Sequence, residues 1–162
     1  MRTRKGARHL SEPVIVVICG PPGAGKTTVA TRVADRLEAR GEPVRLVHSD
    51  EFSRRTYERL FERVVDGPDD VTWLVDGTFY RREWQTQFRT LGDVRFALVT
   101  ASLETCLERN RQREDAIDEQ GVHVVFREFD DPGAELELDT DELSAAAATE
   151  QVLEALDRWR SA

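Results

Sequence analysis

Lysine is almost missing from this chain: of its 23 basic residues only Lys5 and Lys26 are lysines, and the rest are arginines. Cysteine is as scarce. Cys19 and Cys106 sit in unrelated apolar segments, which excludes a disulfide framework or a cysteine-rich metal site and fits buried thiols in a reducing cytoplasm. No apolar run approaches the roughly 18 residues that a membrane span needs. The stretch at residues 14–19 is too short for a signal-peptide core, although the eight residues opening the chain are basic. Residues 1–12 are therefore expected to form a flexible arm and residues 13–162 a single domain. Net positive charge is absent too. At a formal charge of −8, the surface offers no broad electrostatic footprint for nucleic acid, while a local arginine cluster still suits a phosphorylated ligand.

What the chain does have is an alternation of short apolar runs with longer stretches at helical spacing, the pattern of βαβ units around a parallel sheet. Residues 14–19, Val-Ile-Val-Val-Ile-Cys, are unbroken in their apolarity, as a strand covered on both faces requires. Residues 27–40 put Val29, Ala30, Val33, Ala34 and Leu37 on one helical face before Gly41 and Pro43 stop the helix. Further strands are expected at 44–47, 71–75, 94–100 and 136–138. Helices are expected at about 51–65, capped by Ser49 or Asp50, at 81–91, from 103 into the 109–113 segment, and at 142–160. The charged stretch at 114–127 reads as a mobile, mostly helical lid. Together these give a three-layer α/β fold with a mostly parallel five-stranded sheet.

The chemistry concentrates after the first strand. Gly20, Pro21, Pro22, Gly23, Ala24, Gly25, Lys26 and Thr27 match G-x-x-x-x-G-K-[ST] between a buried strand and a helix. Glycines let backbone N–H groups turn toward phosphate oxygens, and the helix that opens at Thr27 and Thr28 adds its positive dipole end. Lys26 is placed to reach the β- and γ-phosphates of ATP, and Thr27 to ligate Mg²⁺.

Two acids follow strands at the carboxyl end of the sheet, where ligands of open α/β sheets bind. Asp50, in Val-His-Ser-Asp-Glu-Phe, is the candidate for orienting or deprotonating a hydroxyl acceptor or for holding Mg²⁺ through water. His48 reads as packed or hydrogen-bonded. Asp76 ends an apolar strand as a Walker B acid does and is the second Mg²⁺ candidate. Thr78, Tyr80, Arg81 and Arg82 come next and are candidates for acceptor recognition, while Trp84 at helical spacing suits the core. Farther on, Arg109 and Arg113 lie one helical turn apart, so that lid arginines there can neutralise the transferring phosphoryl group.

With a P-loop, an acid after the second strand and an arginine lid at about 109–130, the chain resembles the small kinases of the adenylylsulfate kinase and seryl-tRNA kinase-like group. Asp50 matches the group's acid beside the acceptor. The segment Asp76-Gly-Thr-Phe-Tyr-Arg-Arg looks like an Asp-x-x-x-Tyr segment of the tRNA-kinase relatives, and Leu103-Glu-Thr-Cys-Leu-Glu-Arg-Asn like their lid entry. The resemblance implies that Arg109 covers adenine and that the turn at 131–133 approaches the base. It implies transfer of the γ-phosphoryl group of MgATP to a hydroxyl of a small anionic acceptor. The acceptor and the oligomeric state stay open. So do two other readings, a nucleotide-dependent switch or ATPase working with a protein or tRNA-modification partner, and a kinase with an RNA acceptor.

Overall fold

The computed structural model describes residues 13–161, so the arm expected at 1–12 lies outside the described residues. Five apolar runs become strands: β1 (Ile15–Cys19), β2 (Val44–His48), β3 (Thr72–Asp76), β4 (Val94–Thr100) and β5 (Leu136–Asp139). All pair in parallel, in the order β2-β3-β1-β4-β5. The helices are α1 (Lys26–Ala39), α2 (Thr56–Asp66), α3 (Arg82–Arg89), α4 (Leu103–Arg111), α5 (Glu119–Glu128) and α6 (Ala145–Ser161).

The unbroken apolarity of β1 is explained by burial on both sides. Val16 and Ile18 enter a core with Val29, Val33 and Leu37 of α1 and Val152, Leu153 and Leu156 of α6. Val17 and Cys19 enter the opposite core with Leu60 and Val64 of α2 and Phe88 of α3. Each such fully buried side chain contributes roughly 1.5–3 kcal/mol, so the two apolar layers hold the sheet and its carboxyl edge is left for polar residues. Burial pushes the Cys19 thiol up to about 12 and that of Cys106 to about 11, which makes both inert packing residues. Among the described residues, no helix is long and apolar enough to cross a membrane.

Two expected boundaries move. After β2 the chain makes a 3₁₀ turn at Ser49–Glu51, closed by the Glu51 Oε2 that accepts the His48 N–H at 2.9 Å. Neither Ser49 nor Asp50 caps a helix; the chain runs extended at Phe52, Arg55 takes a left-handed φ of 51°, and α2 starts only at Thr56. The final helix begins at Ala145 rather than 142, because Glu142 and Leu143 donate back to the Asp139 carbonyl in a turn. Ser144 then caps the helix by accepting the Ala147 N–H at 3.0 Å. In the expected lid, residues 111–118 are exposed, but α5 docks Val122 in the core. Asn110 brackets the turn, donating to the Ile117 carbonyl at 2.7 Å and accepting the Ile117 N–H at 3.1 Å.

Candidate active site

The P-loop leaves β1 at Gly20, whose φ is 147° and where an added Cβ would fall on the Val99 carbonyl oxygen of β4. Gly23, at φ 86°, leaves no more room, since a Cβ there would lie 2.5 Å from the Cys106 carbonyl oxygen. Both glycines are thus demanded by close backbone approach as well as by conformation. Pro21 accepts the Ala24 N–H at 3.2 Å and the Lys26 ammonium at 3.1 Å, and Pro22 lies between them in the turn. Gly25, in the left-handed region, precedes α1 without a side-chain cap, and the helix has no acid in its first turn. Its opening N–H groups at Lys26, Thr27 and Thr28 are therefore an uncapped anion-binding terminus. Burial lowers the Lys26 pKa, and the Asp76 charge works against that fall.

β1 and β2 both pair with β3, and this brings the polar ends together. Asp76, 3% exposed, takes two hydrogen bonds on one oxygen. Thr27 Oγ1 donates to its Oδ2 at 2.7 Å, and His48 Nδ1 lies 2.7 Å from the same atom. That bond raises the His48 pKa, with the charges of Asp76, Asp50 and Glu51 adding to it. A hydroxyl touching a carboxylate is a set of hard oxygen donors, the kind that Mg²⁺ takes beside a nucleotide's phosphates. Thr27 and Asp76 thus fit the cation that the motif implies.

A cleft of about 430 Å³ is lined by Gly23, Gly25, Lys26, Thr27, Thr28, Asp50, Arg109, Arg113 and Asp115. The phosphate motif, the acid after β2 and the two arginines therefore converge. Arg113 leans on Asp115, at 3.2 and 3.3 Å. Arg109 is otherwise engaged: its Nη1 donates to the Gly23 and Ala24 carbonyls at 3.1 Å each and to Thr140 Oγ1 at 3.0 Å, and its Nη2 to the Thr140 carbonyl at 3.3 Å. Thr140 Oγ1 in turn donates to the Ala24 carbonyl at 2.7 Å. The turn after β5 thereby reaches the P-loop. The turn at 131–133 is not among the residues that line the cleft, and Arg89 of α3 donates to the Pro132 and Gly133 carbonyls at 3.0 and 3.1 Å.

The residues after Asp76 do not line this cleft. Thr78 gives its carbonyl to the Gly20 N–H at 3.3 Å, which ties this loop to the P-loop. Phe79, fully buried at φ 50°, is a strained position for a non-glycine residue, held because its ring packs edge-on to Phe88, Phe96 and Tyr57. Tyr80 and Trp84 meet edge to face, and the exposed Arg81 guanidinium covers both rings at 5.2 and 5.7 Å. Arg82 opens α3, its N–H donating to Asp130 at 2.8 Å. Tyr57, not singled out in the sequence, stacks on Trp84 at 4.0 Å and accepts the Phe79 N–H with its hydroxyl at 3.1 Å. A second groove, of about 580 Å³, lies at the opposite end of the sheet among Val64, Val65, Trp73 and Trp159; it is far from the P-loop and the acids around it.

A family model described as an AAA domain matches residues 15–71, from β1 to the approach to β3. No curated protein matches the sequence. Among solved structures, a sugar kinase from Janibacter sp. HTCC2649 is 19% identical, with a TM-score of 0.69 over 90% of this chain and 95% of that one. A gluconokinase from Sinorhizobium meliloti 1021 is 18% identical, with a TM-score of 0.67 over 94% and 96%. The Mycobacterium tuberculosis APS kinase in complex with AMPPNP and APS is 21% identical, with a TM-score of 0.68 over 91% and 98%. With its P-loop between β1 and α1 and its all-parallel five-stranded sheet, the chain has the fold of the small P-loop kinases.

Proposed function

We propose that this chain is an ATP-dependent kinase that moves the γ-phosphoryl group of MgATP onto a hydroxyl of a small anionic molecule. The observation that carries the reading is the convergence, in one cleft, of an uncapped helix N-terminus, Lys26, Thr27, Asp50 and Arg113. A bare nucleotide-binding site needs the P-loop; an acid across from it is what a hydroxyl acceptor calls for. Three of the similar structures are named as kinases, one of them in complex with AMPPNP and APS.

In this reading the N–H groups at the start of α1 and the Lys26 ammonium bind the β- and γ-phosphates. Thr27 and Asp76 would hold Mg²⁺, which when bound neutralises charge on those phosphates. Asp50 accepts a hydrogen bond from the acceptor hydroxyl and takes its proton as the oxygen attacks the γ-phosphorus; the bond from γ-phosphorus to the bridging oxygen breaks, and ADP leaves with that oxygen. Arg113 stabilises charge on the transferring group once it exchanges Asp115 for phosphate oxygens. Arg81, just before α3, and Arg82, which opens it, lie outside the cleft and would supply positive charge to the part of an anionic acceptor that extends beyond it. Positioning and electrostatics do the work, as loose phosphoryl-transfer transition states require.

Lys26→Ala tests the reading. Among the described residues its side chain makes a single hydrogen bond, to the Pro21 carbonyl, so the variant is expected to keep its circular-dichroism spectrum and cooperative melting while losing ATP turnover. Turnover at the parent rate would sink the mechanism.

A further inference from the structure

His48 has no part in the chemistry above, yet it touches the acid on which cation binding depends. It ends β2 directly beside Asp76 in the parallel register, and its ring nitrogen Nδ1 meets Asp76 Oδ2 at 2.7 Å, the oxygen that Thr27 Oγ1 also reaches at 2.7 Å. A carboxylate only accepts, so the imidazole donates from Nδ1. The backbone that carries the ring is fixed as well, because the His48 main-chain N–H donates to the Glu51 carboxylate at 2.9 Å. The Asp76 side chain is 4% exposed and that of His48 is 25% exposed. Water therefore has little access to replace a missing donor at the carboxylate.

A carboxylate at the end of a strand can rotate about its last side-chain bond, and one hydrogen bond from Thr27 leaves that rotation open. A second donor on the same oxygen, from a different strand, closes it. We infer that His48 is a positioning residue for the divalent cation: it holds the Asp76 carboxylate in the orientation that pairs with the Thr27 hydroxyl, so that the donor pair is set before nucleotide and metal arrive. The inference rests on the MgATP reading. Groups that orient a metal ligand through such a contact are worth about 10–100-fold in metal affinity.

Three full-length proteins separate this role from simple packing: the parent, His48→Leu and His48→Asn. Leucine keeps apolar bulk and removes the donor, whereas the asparagine amide nitrogen is bonded to Cγ as Nδ1 is and can still donate. The readouts are Mn²⁺ binding in the presence of a non-hydrolysable ATP analogue, followed by electron paramagnetic resonance, and binding of the same analogue in excess EDTA. For His48→Leu the Mn²⁺ half-saturation is expected to rise about 10–100-fold with metal-free nucleotide affinity unchanged, and His48→Asn is expected to stay near the parent. Should the leucine variant fail to fold, His48→Gln, whose amide sits one carbon farther out, takes its place with the same expected loss. Parent-like Mn²⁺ binding by the leucine variant, an asparagine variant as weak as leucine, or a matching loss of metal-free nucleotide binding would each overturn the positioning role. A parent whose nucleotide site binds no Mn²⁺ at all would instead overturn the MgATP reading, and the role of His48 with it.

Discussion

Replacing Arg109 by alanine removes a guanidinium that ties the P-loop to the turn after β5. Four contacts disappear, to the carbonyls of Gly23, Ala24 and Thr140 and to the Thr140 hydroxyl. They do not count equally. The Ala24 carbonyl keeps the 2.7 Å bond from Thr140 Oγ1, so the net loss falls on the carbonyls of Gly23 and Thr140. At about 1 kcal/mol for each half-buried acceptor left without its donor, Arg109→Ala is expected to lower stability by about 2 kcal/mol. For a chain of this size that is roughly 4–8 °C in Tm. Urea unfolding, with an unchanged m-value as the sign of an unchanged transition, measures it. The loosened P-loop is also expected to bind ATP about tenfold more weakly, since its backbone N–H groups are no longer held in place. Combining Arg109→Ala with Thr140→Val is expected to cost more than the sum of the two, because each single variant leaves the Ala24 carbonyl one donor and the double variant leaves it none. An Arg109→Ala protein as stable as the parent would refute the clamp and leave the guanidinium free for the nucleotide.

Asp50→Asn is expected to lower kcat about 10²–10⁴-fold with little change in the KM for ATP, measured by initial rates once an acceptor is in hand; a loss confined to KM would point to binding instead. Asp141 accepts from Thr105 Oγ1 and the Ser102 N–H, both at 2.7 Å, and these bonds hold its pKa below the ordinary 3.8. A depressed carboxylate contributes stability above its unfolded value that is lost as pH falls through the folded one. The melting difference between parent and Asp141→Asn should therefore be full at neutral pH and fade below about pH 4; a difference that holds constant into acid would contradict the pairing. Gly20→Ala is expected to abolish soluble folding, since its Cβ would fall on the Val99 carbonyl oxygen. A soluble variant with parent-like melting would contradict that packing.

The layers and the P-loop were legible because each rests on local pattern. A short apolar run without alternation that ends at a glycine turn suits a strand covered on both faces, and the glycine spacing before Lys26 specifies its own backbone. Asp50 was legible for a related reason, since its place just past a parallel strand put it at the cleft. The place of Arg109 at the cleft was legible but not its contacts, because its acceptors are backbone carbonyls and Thr140 lies 31 residues away, features that leave no trace in side-chain pattern. The meeting of His48 with Asp76 depends on β2 lying beside β3 in register, which single strands do not reveal. Phe79 hides its left-handed φ behind a residue type that rarely adopts one, and the core around its ring is what compensates. The late start of α2 comes from Glu51 closing a 3₁₀ turn, a competitor to the cap expected at Ser49 or Asp50.

The most direct measurement follows the labelled phosphoryl group. The full-length protein is incubated with γ-labelled ATP, Mg²⁺ and a panel of hydroxyl acceptors, with adenylylsulfate, sugar acids and seryl-tRNA among them, and the label is resolved between organic product and inorganic phosphate. Transfer to one small anionic acceptor by the parent, and none by Lys26→Ala, is the expected result. Label appearing only in inorganic phosphate, whatever acceptor is present, would contradict the kinase reading and make the chain an ATPase.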